Sequence, residues 1–178
     1  MEYVVITAVG NDRTGIVNEL SEAILKDGGN IEDSRMAVLG GAFTIIMLVV
    51  GEPEAIEELI TQIPAMERKL GMTIVVKKTK PRQRDASLLP YRIDVVSMDH
   101  PGIVHDVADF FANRRINIED MSTATYAAAH TGTPVFSMHL TIAVDADSPI
   151  AELRHDFQDF CDELNLDSTM ELAAFENP

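Results

Sequence analysis

Shifted by 87 positions, the chain matches itself: Asp12-Arg13-Thr14-Gly15-Ile16-Val17 falls on Asp99-His100-Pro101-Gly102-Ile103-Val104, and Asn30-Ile31-Glu32-Asp33 on Asn117-Ile118-Glu119-Asp120. Over residues 6–33, ten of 28 positions are identical, where about two would coincide by composition alone. A period of this size is that of a whole small domain and not of a solenoid turn. The 178 residues must therefore form two copies of one fold.

The pattern within each copy predicts its elements. Residues 3–9 are rich in β-branched side chains and run into a polar, Gly-containing loop, as a buried strand entering a turn does. Ile16, Leu20, Ala23 and Ile24 recur at helical spacing, as do Ile103, Val107, Phe110 and Phe111, and Gly28-Gly29 ends the first of these helices. Residues 31–39 and 42–50 read as antiparallel strands joined at Gly40-Gly41, a pair suited to the positive φ angles of a two-residue hairpin. Pro53 suits a first helical turn ahead of the stripe Ile56, Leu59, Ile60 and Ile63, and residues 72–77 supply a last strand. The second copy places strands at 91–97, 116–126, 134–144 and 168–175 and a helix from 149 to about 164. Phe136 matches Phe43 at a shift of 93, so the second hairpin is six residues longer, near 127–132. The order β-α-β-β-α-β, twice, predicts an α+β protein with domains at 1–78 and 91–178 and a basic linker at 79–90.

Charge and composition narrow the function. Fourteen basic against 29 acidic residues give a net charge of −15, which repels a phosphate backbone, and neither copy has a helix-turn-helix pattern. Direct nucleic-acid binding is not expected. Five of the basic residues lie in Lys77-Lys78-Thr79-Lys80-Pro81-Arg82-Gln83-Arg84, which reads either as a solvated connector or as a docking strip for an acidic partner. No apolar run is long enough to span a membrane and the N-terminus lacks a signal-peptide pattern, so a cytoplasmic location is expected. The single Cys161 falls on a helix face with Phe157, Phe160 and Leu164 and reads as core, and Met36, Met47, Met66, Met72, Met98, Met121 and Met138 read as core filling.

Enzymatic readings find little support. His100 and His105 flank a Pro-Gly turn, His130 and His139 are scattered on a hairpin, and there is no His-x-x-x-His and no Cys pair, so neither metal nor cofactor is expected. An acid–base pair of Asp99 and His100 would not be shared, because the first copy has Arg13 at the matching place. There is no phosphate-binding loop and no nucleophile elbow. The chain is not expected to be an enzyme.

Binding is better supplied. Gly15 and Gly102 stand between a strand and a helix, where a missing Cβ lets a carboxylate approach first-turn N–H groups; glycine equally suits a tight turn there. Asn30 and Asn117 begin the next strand, and their amides both donate and accept, which suits an α-amino acid; Asn equally tolerates a left-handed helix end. The repeated Asp-x-x-Gly-Ile-Val and Asn-Ile-Glu-Asp motifs, with the longer second hairpin, resemble the ACT domain, and the match is closest to the tandem-ACT family of glycine-cleavage-system transcriptional repressor-like proteins. The resemblance covers nearly the whole chain. It implies ferredoxin-like sheets with both helices on one face, domains paired through sheet edges, an amino acid or similar small ligand at the seam, and action by contact with a DNA-binding regulator and not with DNA. It also implies the ligand residues: Asp12, Arg13, Thr14, Gly15, Ile16, Val17, Asn30 and Ile31 in the first copy, and Asp99, His100, Pro101, Gly102, Ile103, Val104, Asn117 and Ile118 in the second. Because His100-Pro101 replaces Arg13-Thr14, the two sites are expected to differ in selectivity. Helices on one side only would leave a bare sheet face, which suggests a homodimer.

Overall fold

The structure is a computed structural model that describes residues 1–81, 85–129 and 131–173. The chain divides into two units, Met1–Gln83 and Arg84–Pro178. The first contains β1 (Glu2–Asn11), α1 (Ile16–Lys26), β2 (Asn30–Leu39), β3 (Ala42–Gly51), α2 (Pro53–Leu70) and β4 (Met72–Thr79). The second repeats the order as β5 (Leu88–Met98), α3 (Ile103–Asn113), β6 (Asn117–Ala127), β7 (Pro134–Asp145), α4 (Ile150–Glu163) and β8 (Asp167–Leu172). The sheet orders are β2-β3-β1-β4 and β6-β7-β5-β8, and every neighbouring pair is antiparallel. Each unit is thus the ferredoxin-like arrangement that the resemblance implies.

Strand alternation decides which face is covered. Val4, Ile6 and Ala8 of β1 and Phe43, Ile45, Met47 and Val49 of β3 turn to one side of the first sheet and are buried there. Ile16, Leu20 and Ile24 of α1 close over them, with Ile56, Leu59, Ile63, Met66 and Leu70 of α2. The apolar stripe of α2 therefore runs two turns past Ile63, through a helix that continues across Pro64. In the second unit aromatic rings fill the same space: Phe110, Phe111 and Phe157 sit at centroid separations of 5.1 Å. Cys161 is fully buried in that cluster, and burial pushes its thiol pKa up.

The methionines do not all behave as core. Met47, Met66, Met72 and Met138 are buried, but Met36, Met98 and Met121 are 56%, 71% and 42% exposed. Met36 and Met121 lie on the edge strands β2 and β6, and Met98 ends β5. Apolar character in a strand predicts burial, and edge position overrides it.

Turn chemistry follows the sequence in the first unit and departs from it in the second. Gly40 and Gly41, at φ 58° and 86°, make the two-residue hairpin with Leu39 paired to Ala42. The second hairpin closes at Ala127 and Pro134, and its His130 lies outside the described residues. Helix α1 ends on Gly28 at φ 81°, with the Gly29 N–H donating to the Ile24 carbonyl at 3.0 Å. Helix α3 ends the same way, Ile116 N–H to the Phe111 carbonyl at 3.0 Å, but the left-handed residue is Arg115 at φ 58°.

Strand ends also differ. β5 starts at Leu88, paired to Asp145, three residues before Tyr91. β8 ends at Leu172; Phe175 lies outside the described residues. Of the basic strip, Lys77 and Lys78 belong to β4, and Lys78 Nζ donates to Glu2 at 3.0 Å and to the Glu57 carboxylate, which ties β4 to β1 and α2. Lys78 is therefore no free element of a connector or docking strip. Arg82, Gln83 and Arg84 lie outside the described residues.

Candidate functional site: the turn before α1

β1 delivers the chain to a loop pinned at both ends. The Asp12 N–H donates to the Gly41 carbonyl at 3.4 Å, and Ile16, 3% exposed, plugs the loop's far end into the core. Between them Gly15 caps α1 at φ 88°, ψ −5°, a left-handed conformation that a side chain would strain. Turn geometry alone accounts for this glycine. Space is also present: a Cβ there would meet only Glu19 Oε1, at 3.8 Å.

Glu19 lies over the first turn of α1, a favourable place for a negative charge. Arg13 holds it with two hydrogen bonds, Nη1 to Oε1 at 2.5 Å and Nη2 to Oε2 at 2.8 Å. This pairing raises the Arg13 pKa and lowers that of Glu19. An open recess of about 530 Å³ lies against the same turn, lined by Asp12, Arg13, Gly15, Ile16, Val17, Asn18 and Ser21, with Met36 of β2 and Phe43 of β3. Helix starts leave first-turn N–H groups without intrahelical acceptors. The recess thus combines amide donors, the Asp12 carboxylate, a guanidinium and an apolar wall.

Five of the eight first-copy residues expected from the resemblance meet there: Asp12, Arg13, Gly15, Ile16 and Val17. Thr14 is exposed on the turn without lining the recess. Asn30 and Ile31 are elsewhere. Asn30 pairs with Val50, whereas the loop leaves β1 beside Ala42, and eight residues of strand separate the two by about 26 Å. Ile31 packs against the core.

The second unit keeps the backbone and changes the charges. Gly102 caps α3 at φ 107°, and Asp99 N–H donates to the Pro134 carbonyl at 3.1 Å. His100 Nδ1 lies 3.2 Å from the Pro101 carbonyl, and the nearest atom to a Cβ built on Gly102 is Asp106 Oδ2, at 3.4 Å. Ile103 is buried and Val104 is 38% exposed. Asn117 pairs with Ala143, nine residues along β7 from Pro134, about 30 Å away, and Ile118 packs on the core. In neither unit does one ligand-sized volume hold both the glycine turn and the asparagine.

Sequence reasoning missed Glu19, Asn18, Ser21, Met36 and Phe43. One signal was available: Glu19 and Asp106 are related by the same shift of 87, so an acid stands four residues after each glycine. Asn18 and Ser21 follow on the first turns of α1, and Met36 and Phe43 are brought in by strand pairing, which the repeat does not encode. Among the described residues no group of three or more His, Cys, Asp or Glu is placed to hold a metal, and no helix is long and apolar enough to cross a membrane. The contact between His139 and Asp94 joins β7 to β5 on an exposed sheet face, away from the turns.

Comparison with known proteins places this geometry in context. The sequence profile of the ACT domain matches residues 2–77. The glycine cleavage system transcriptional repressor of Escherichia coli is 31% identical over 173 residues, covering 97% of this chain and 91% of the relative. A crystal structure provisionally assigned as a glycine cleavage system transcriptional repressor superposes with a TM-score of 0.70 at 29% identity, over 97% of each chain. A structure of an unknown protein from Galdieria sulphuraria gives 0.77 at 26% identity, over 97% of this chain and 99% of the other.

Proposed function

This chain belongs to the glycine cleavage system transcriptional repressor family, and on that premise we propose that it senses an amino acid and regulates transcription by contact with a DNA-binding protein in the cytoplasm. The observation that carries the proposal is the recess at Gly15, where first-turn amides, Arg13 and the Asp12 carboxylate surround an open volume. An amino acid's carboxylate is held by the N–H groups of Val17 and Asn18, where the aligned helix contributes about 0.3–1 kcal/mol for a negative charge. Its ammonium group faces Asp12, and Met36 and Phe43 bound the side-chain space. A ligand with a small side chain, glycine included, fits this description. Asn30 and Asn117 take part only where a second domain brings its own strand to the recess. The turn at Gly102 carries His100 and Pro101 instead of Arg13 and Thr14, so its preference among amino acids differs.

A second reading is favoured by one contact. Glu19 already satisfies Arg13 and covers Gly15, which is also how a ligand-independent interaction module would look. Thermal melts of the intact protein with each common amino acid separate the two. Ligand that binds only the native state raises the midpoint in step with ln(1 + [L]/Kd). A saturable rise with one or a few amino acids supports sensing; no rise with any of them leaves the module. Retention of a DNA fragment only when a second protein is present supports action through a partner, and sequence-specific retention by the purified chain alone contradicts it.

A further inference from the structure

The two sheet faces turned away from the helices differ in chemistry. On the first, strand register gathers Val5, Thr7 and Val9 of β1, Ile46 and Leu48 of β3 and Val75 of β4, and Val9, Ile46 and Val75 are 43%, 46% and 60% exposed. On the second, the same face carries Arg92, Asp94, His139, Thr141 and Thr169. The first face is apolar at its centre with charges on its edge strands, whereas the second carries charged and polar side chains at its centre beside the exposed Val96 and Tyr126.

We propose that the open face of the first sheet is the interface of a homodimer, with two copies stacked about a two-fold axis that runs parallel to the strands between β1 and β3. The charge pattern selects this occupant. Asp33, Leu48, Val5 and Lys77 form one row across the sheet, an acid on edge strand β2, 3.4 Å from Arg35 of its own strand, and a base on edge strand β4. The rotation lays β2 over the second copy's β4 and β3 over its β1 while keeping each row in place. Asp33 then faces Lys77 of the second copy, twice by symmetry. Leu48 meets Val5, Ile46 meets Thr7, and the methylene stem of Arg35 covers Val75. Aligned sheets stack about 10 Å apart at about −30°, which offsets the edges by a distance a lysine side chain spans.

Net charge points the same way. Met1–Gln83 carries nine basic and twelve acidic residues, whereas Arg84–Pro178 carries five and seventeen. A second domain repels its own copy far more strongly than a first domain does.

Sedimentation of the full chain at tens of micromolar tests this, with melts confirming that each variant is folded. The wild type is expected at about twice its 19.6 kDa chain mass. Ile46→Glu with Val75→Glu replaces only exposed side chains and is expected to give monomer, while Val96→Glu on the second sheet's face leaves the dimer intact. Asp33→Lys and Lys77→Asp, each alone, are expected to weaken self-association about tenfold, since like charges then face each other. Mixing these two single variants restores a dimer, because every edge charge meets its opposite. A monomeric wild type, a dimer indifferent to Ile46→Glu and Val75→Glu, or a mixture no tighter than its components overturns the proposal.

Discussion

Arg13 grips both carboxylate oxygens of Glu19 across the first turn of α1, at 2.5 and 2.8 Å, whereas the matching positions of the second domain hold His100 and Asp106 with no bond between them. The backbone of the turn is duplicated and its electrostatics are not. In the first domain a neutralised pair covers the helix start; in the second an acid stands there without a guanidinium. A ligand carboxylate arriving at Gly15 competes with Glu19 for Arg13, and one arriving at Gly102 meets the charge of Asp106 directly.

The first prediction is a pH dependence. The guanidinium of Arg13 holds the Glu19 carboxyl below its ordinary value of 4.5. A folded-state pKa below the unfolded one means that the pair's contribution is complete above the unfolded value and is lost as pH falls through the folded one. Carbon-detected NMR titration of Glu19 should give a midpoint below 4.5, and Arg13→Gln should raise it. A wild-type midpoint at or above that value contradicts the pairing.

Backbone conformation gives the second. Gly15 and Gly102 sit at φ 88° and 107°, so Gly15→Ala and Gly102→Ala should each lower unfolding free energy by about 1–2 kcal/mol in urea titrations. Valine would add β-branched strain to the same cost, which makes alanine the cleaner probe of whether the open space matters to a ligand. Arg115 has the opposite sign: at φ 58° it carries a left-handed strain that Arg115→Gly should relieve, raising stability by about 1 kcal/mol. Unchanged midpoints in all three would mean that the turns tolerate side chains.

Arg114 supplies the third. Its guanidinium lies 3.8 Å from the centroid of Phe110, donates to the Phe110 carbonyl at 3.2 Å and reaches Asp156 of α4 at 3.2 Å. It joins two helices at the rim of the aromatic core. Arg114→Ala should cost about 1 kcal/mol, with much less recovered by lysine, whose point charge cannot stack and fork at once. Equal stability of the alanine and wild-type proteins would contradict the account of that contact.

The fold was legible because repeat, period and turn residues agree. Gly40-Gly41 announces a two-residue hairpin, and Ile16, Leu20 and Ile24 announce a buried helix face that is repeated 87 residues on by Ile103, Val107 and Phe111. The misses are positional. Met36 and Met121 look like core until the sheet order puts them on edge strands, and Arg115 ends a helix where the first copy uses glycine. The site was half legible for a related reason. Asp12, Arg13, Gly15, Ile16 and Val17 are contiguous and fold together, but Met36 and Phe43 join them only through strand pairing, and Asn30 is carried to the sheet's other end by the same pairing. Local motifs survive translation into space; long-range neighbours depend on register.

Amide chemical shifts of the labelled, intact protein titrated with glycine, and then with larger amino acids, test the central claim most directly. The account predicts saturable perturbations centred on Asp12, Arg13, Gly15, Val17, Asn18 and Ser21 for at least one amino acid, abolished by Arg13→Ala in a protein whose remaining spectrum is unchanged. Perturbations confined to other parts of the chain, or none with any amino acid, would contradict it.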